Sequence, residues 1–126
     1  AHYAAGLAVH GGAALAATVE QAVAETRAEG PKGRYPAGPL SVEDTEPPAF
    51  ALSTPVAAAL GPKLAAAFAH AHYLVFHPRD AAPERFQPLY AAGWTADTIV
   101  SLSQLVSFLA FQIRVVAGLA VLRAAG

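Results

Sequence analysis

The C-terminal quarter of the sequence is the feature that most limits what this chain can fold into. From Thr95 to about Arg123, apolar residues recur every three or four positions and no proline interrupts them, which predicts one long helix. Thr95 suits the N-cap position, and Asp97 lies in the first turn, where the helix dipole favours a carboxylate. In a chain of 126 residues, such an element directs the fold toward helix packing.

The apolar run from Ile99 to Leu122 has two interpretations, a membrane span and a core helix. Its length suits a bilayer, but Arg114 lies near its middle, and a central arginine costs about 2.5 to 3.5 kcal/mol on insertion. We therefore predict a core helix and no membrane. We expect Arg114 to be buried, either in a structural ion pair across a helix interface or as the anchor of an anionic ligand.

Glycine and proline divide the rest of the chain into shorter helical segments. Alanine is the commonest residue and β-branched residues are sparse, so local propensity favours helix throughout these segments. The segments are predicted at about residues 1–9, 13–29, 62–76 and 82–92, with a long irregular loop at about 30–53. The sequence predicts one all-α domain over residues 1–126.

Composition restricts the partners of this domain. The net charge is -1 and the basic residues are scattered, which argues against nucleic acid. Because 55% of the residues are hydrophobic and only 13% are charged, a small monomer cannot cover its surface with polar groups, and we expect a homo-oligomer. The sequence has no cysteine, which excludes a cysteine nucleophile within it, and its first residues read as mid-helix, so we expect further residues upstream.

Three histidines lie near the end of the 62–76 segment. His70 and His72 are two positions apart, so on a helix they point about 200° away from each other and cannot hold one ion together. His77 could approach one of them, but no acidic residue joins the set at ligand spacing. We predict no metal site and no cofactor, and we interpret these histidines as surface or helix-end residues.

Residues 62–122 carry three motifs that together resemble a known family. They are Pro62-Lys63-Leu64 at a helix start, Leu89-Tyr90-Ala91-Ala92-Gly93-Trp94-Thr95 followed by Asp97 and Ile99, and Phe108-Leu109-Ala110-Phe111-Gln112-Ile113-Arg114-Val115. The segment resembles the carboxymuconolactone decarboxylase and alkylhydroperoxidase D superfamily, in particular its peroxidase-related branch. The resemblance covers about half of the chain.

This resemblance implies a fold, an assembly and an activity. The fold would be all-α and would assemble into trimers or hexamers, and the substrate would be a small-molecule hydroperoxide. In active relatives a histidine follows a Cys-x-x-Cys pair, and His2 looks like that histidine, which would make it a proton relay. Both cysteines would then precede Ala1. Without them, thiol peroxidase chemistry is excluded.

A second hypothesis remains open beside the antioxidant one. The chain would then be a non-catalytic oligomeric helical scaffold, or a binder of a small apolar ligand between helices. For either function we expect a cytoplasmic protein.

Overall fold

Helices account for almost all the regular structure of the chain. The computed structural model describes residues 2–27, 35–45 and 49–125, and within these ranges the side chains from Gly6 onward except that of Arg79. Its helices are α1 (His2–Gly11), α2 (Ala13–Thr26), α3 (Thr54–Phe76), α4 (Gln87–Ala91) and α5 (Ala96–Ala125), with 3-10 turns at Pro39–Glu43, Pro78–Asp80 and Pro83–Phe86. These described ranges contain no β-strand, which confirms the predicted all-α class.

The first two helices contact each other and meet at a glycine. Gly12 has a φ of 84°, a conformation that side-chain-bearing residues rarely adopt, and it separates α1 from α2. The first helix runs two residues past its predicted end at residue 9. The second ends at Thr26 because Arg27 is extended, whereas the sequence predicted an end near residue 29.

A kink divides α3 where the sequence predicted that the chain would restart. Gly61 has a φ of 73° and a ψ of 166°, and Pro62 begins the second part of the helix behind it. The residue before a proline avoids the α region. Gly61 lies outside this region, so its conformation both forms the kink and is compatible with Pro62. The helix ends at Phe76, followed by His77 and Pro78, as predicted.

The predicted helix over residues 82–92 is shorter than expected. Pro83–Phe86 forms a 3-10 turn, and only Gln87–Ala91 is α-helical, with Pro88 in its first turn. A proline lacks the N–H that an interior helix position donates, and it is tolerated in a first turn. Pro88 therefore lies at the start of α4, and the predicted helix is shortened.

A small core joins α2 to the first part of α3. Ala22 is completely buried and packs with Val56 and Leu60, and Val19, Leu52 and Phe68 lie around them. The loop before α3 is fixed to α2 by Glu25, whose carboxylate accepts hydrogen bonds from the backbone N–H and the hydroxyl of Ser53 at 2.9 and 2.8 Å. These two bonds lower the pKa of Glu25.

The long C-terminal helix is buried only in its first half. Ile99 is buried, whereas every residue from 111 to 125 is exposed in the single chain. The predicted core helix therefore extends only over the first half of α5, and the predicted burial of Arg114 is wrong for the single chain. Periodicity shows which helix face is apolar, but it does not show where the neighbouring helices end, and here they cover only the first half.

The length and composition of α5 are those of a membrane-spanning helix. In the part of the chain that the structure describes, α5 alone is long and apolar enough to span a bilayer, with a mean hydropathy of 2.1 over 18 residues. Length and composition are a weak indication, since the core helices of soluble proteins pass the same test.

Candidate ligand cavity

A cavity of about 310 Å³ lies between the second part of α3, the two 3-10 turns that follow it, and α5. Such a volume is at the lower end of the range for small-molecule sites. The polar groups in its wall come from several elements and are the side chains of His70, Tyr73, His77, Asp80, Arg85 and Ser107. A neighbouring cavity of about 290 Å³ shares His70, Tyr73 and Arg85.

His70 is held in one tautomer by its neighbour on α5. Its Nε2 lies 2.8 Å from the hydroxyl oxygen of Ser103, and this hydroxyl donates its own proton to the carbonyl of Ile99 at 2.8 Å. Because that proton is already used, Nε2 of His70 must be the donor, which leaves Nδ1 as an acceptor. Burial lowers the pKa of His70, so the ring is neutral at pH 7.

His77 and Asp80 form a second polar pair at the cavity. Nδ1 of His77 lies 3.1 Å from the carboxylate of Asp80. The ring of His77 is only 5% exposed and packs against the rings of His72 and Tyr73, with centroids 5.2 and 5.0 Å apart. The pair fixes the turn at the end of α3 and places a carboxylate in the cavity wall.

Arg85 brings a positive charge to the cavity. Its guanidinium carbon lies 4.0 Å from the centre of the Tyr73 ring, a cation–π contact. Within the described residues this guanidinium has no carboxylate partner. Stacking on one face leaves the N–H donors of the guanidinium, which lie in its plane, directed away from the ring.

The residues proposed from the sequence lie largely elsewhere. The side chain of His2 lies outside the described residues, and Arg114 is exposed on α5 and does not line this cavity. The prediction that His70 and His72 point apart is confirmed, since His70 contacts Ser103 and His72 packs against Phe50. Among the described residues, no group of three potential metal ligands lies together.

The interpretation of these histidines as surface or helix-end residues is wrong for His70 and His72. His70, His72 and His77 are all buried, although His77 does lie at the helix end. Burial is possible because each ring has partners, namely a serine, an aromatic cluster and a carboxylate. These partners cannot be identified from the sequence before the fold is known.

Sequence reasoning also missed Tyr73, Asp80, Arg85 and Ser103. A signal was present on α3, because residues 70, 73 and 77 follow the spacing of one helix face and all three are polar or aromatic. A polar stripe on an otherwise apolar helix indicates a shared buried site. No comparable signal places Arg85 there, since its position depends on the 3-10 turn.

Comparison of the chain with protein-family models, curated proteins and solved structures finds no match. The fold and the cavity therefore define a class only: an all-α domain with a small, partly polar cavity between its helices.

Proposed function

We propose that this chain is a peroxidase-related helical domain, similar to carboxymuconolactone decarboxylase and alkylhydroperoxidase D proteins, which receives a small organic molecule in the His70 cavity. The observation that carries the proposal is the convergence of polar groups on a cavity of about 310 Å³. The whole wall of the cavity comes from residues 70–107, inside the segment 62–122 that carries the resemblance.

Reduction of an organic hydroperoxide is the activity that the resemblance implies. It requires a thiolate to attack the peroxide oxygen, and the sequence itself contains no cysteine. The cysteine pair would therefore belong to residues that precede Ala1 in a longer protein. His2 would then relay protons to this pair.

The test is a thiol-dependent reduction assay with cumene hydroperoxide on the full-length protein. We expect thiol consumption, and a rate lowered at least about tenfold by His2→Gln, in line with general acid–base catalysis. His10→Gln, an exposed residue near the other end of the same helix, is the matched control and should leave the rate unchanged. Absence of activity together with absence of an upstream Cys-x-x-Cys pair would end the enzymatic proposal.

A second candidate is a non-catalytic, self-associating helical module, and the exposed half of α5 favours it. Large apolar side chains cover this half, including Phe111, Ile113, Leu119 and Leu122, and a patch of this kind is usually covered by a partner or a membrane. We propose a trimer or hexamer in the cytoplasm. Arg114 forms no ion pair within the described chain, so its carboxylate partner would come from another copy.

Light scattering on the purified protein tests this assembly. We expect a trimer or hexamer in detergent-free buffer, and a shift toward monomer for Phe111→Lys. Val42→Lys is the matched control, because Val42 is highly exposed in the 3-10 turn before α3, outside the α5 surface. A monomer at all concentrations would refute self-association, and a requirement for detergent would favour membrane insertion instead.

A further inference from the structure

The wall of the His70 cavity offers both an acceptor and donors of hydrogen bonds, on His70 and Arg85. On α3, His70 presents Nδ1, because its Nε2–H is engaged by Ser103. Nδ1 of His70 has no hydrogen-bond partner among the described residues. Every fully buried side-chain nitrogen or oxygen in these residues does have a partner, so Nδ1 is not one of the fully buried atoms. Because His70 lines the cavity, this nitrogen can accept a hydrogen bond from a ligand there.

Arg85 brings the donors to the cavity wall. Arg85 stacks on Tyr73, which lies one helical turn after His70 on the same face of α3. Both His70 and Arg85 line the cavity of about 310 Å³ and its neighbour, so one small molecule in this space can meet both side chains. Arginine donors in a planar fork match the two oxygens of a carboxylate.

The acidic side chain in the cavity wall is engaged within the fold. Asp80 lines the same cavity, but its carboxylate accepts a hydrogen bond from His77. Glu84 lines the neighbouring cavity and forms no ion pair with Arg85 within the described residues. The remaining wall is apolar, with Leu74 and Phe86 beside the polar groups.

We propose that the cavity selects a small hydroxy acid with an apolar body. Its carboxylate binds Arg85, its neighbouring hydroxyl donates to Nδ1 of His70, and its apolar part packs against Leu74 and Phe86. The proposal rests on the proposed function only in assuming that the cavity receives a small molecule. It requires neither a cysteine nor a hydroperoxide.

Calorimetric titration with three matched compounds tests the recognition. 3-Phenyllactate carries both groups, 3-phenylpropionate lacks the hydroxyl, and methyl 3-phenyllactate lacks the negative charge. We expect 3-phenyllactate to bind about tenfold or more tightly than either of the others, as expected for one lost hydrogen bond to a charged or buried group. Mandelate, phenylacetate and methyl mandelate repeat the comparison with a shorter apolar body.

Variants then assign each preference to its residue. Arg85→Gln should remove the preference for the acid over the ester, while Arg123→Gln, an exposed arginine at the end of α5, should retain it. Ser103→Ala should remove the hydrogen bond that holds His70 in one tautomer, which changes the pair of ring ¹⁵N chemical shifts of His70. The same variant should weaken the preference for the hydroxyl compound. Circular dichroism identifies any variant that fails to fold, and the comparison of wild-type ligands stands without the variants.

The outcomes separate this proposal from the proposed function. If neither hydroxy acid binds more tightly than its matched controls, the hydroxy-acid proposal is refuted. If cumene hydroperoxide or the uncharged esters bind in the cavity while the acids do not, the small-molecule function survives and this inference fails. Retention of the acid preference in Arg85→Gln would equally overturn it.

Discussion

Replacement of Gly61 by alanine should destabilise the protein through the backbone alone. A φ of 73° with a ψ of 166° lies in a region that essentially only glycine occupies, and holding another residue there costs about 1–3 kcal/mol. An added Cβ would meet no atom within 4 Å, so steric overlap contributes nothing. The reduced entropy of the unfolded chain offsets about 0.4–1 kcal/mol. We expect a net loss of about 1–2 kcal/mol in the free energy of unfolding.

The same substitution at Gly6 is the matched control. Gly6 is exposed within α1, and an added Cβ there also meets no atom within 4 Å. Because Gly6 is in a helix, alanine should stabilise the protein by about 0.5–1 kcal/mol. The two variants therefore share one chemical change in open space and differ in the sign of its effect.

Urea unfolding followed by far-ultraviolet circular dichroism measures both variants. Equal slopes against urea would show that the compactness of the native and unfolded states is unchanged, so that midpoints compare stability directly. A Gly61→Ala variant as stable as the wild type would refute the argument, because it would mean that the kink before Pro62 does not depend on glycine.

Three further predictions concern the packing and the charges of the described residues. Leu89→Ala should lose about 2–5 kcal/mol in urea unfolding, because Leu89 is only 1% exposed, and a loss below about 1 kcal/mol would contradict its burial. Glu25→Gln should lower stability at pH 7. The hydrogen bonds from Ser53 depress the pKa of Glu25, so its contribution is present above the ordinary pKa and disappears as the pH falls. In a pH series of unfolding measurements, a gap between wild type and variant that does not narrow toward about pH 3 would refute this. Trp94→Phe removes the indole bond to the carbonyl of Lys63 and should cost about 1 kcal/mol in thermal unfolding, so an unchanged midpoint would count against that bond.

The sequence predicted the helices well where local chemistry ends them. Gly12, Gly61 and His77-Pro78 act through their own backbone conformations, so the boundaries at these positions needed no knowledge of the fold. The stretch around Pro88 was harder, because a proline can either kink a helix or begin one. Only the preceding 3-10 turn decides between the two.

The candidate site was much less predictable, because it depends on contacts between distant segments. His70 and Ser103 are 33 residues apart, and neither is unusual in its own helix. Arg85 reaches Tyr73 only through the turn that follows α3. Arg114 attracted attention because it interrupts an apolar run, yet that run extends beyond the helices that could have buried it.

Substitutions in the two halves of α5 should affect two different properties, the stability of the single chain and its association. Substitutions at residues 96–110 should change the unfolding of an isolated chain, because Ile99 is buried and Ser103 supports His70. Side chains at residues 111–125 are exposed in that chain, so their substitution should have little effect at high dilution. Any effect of these substitutions on stability must increase with the concentration of protein or lipid. Unfolding measured over a series of dilutions therefore shows which half of the helix a substitution affects.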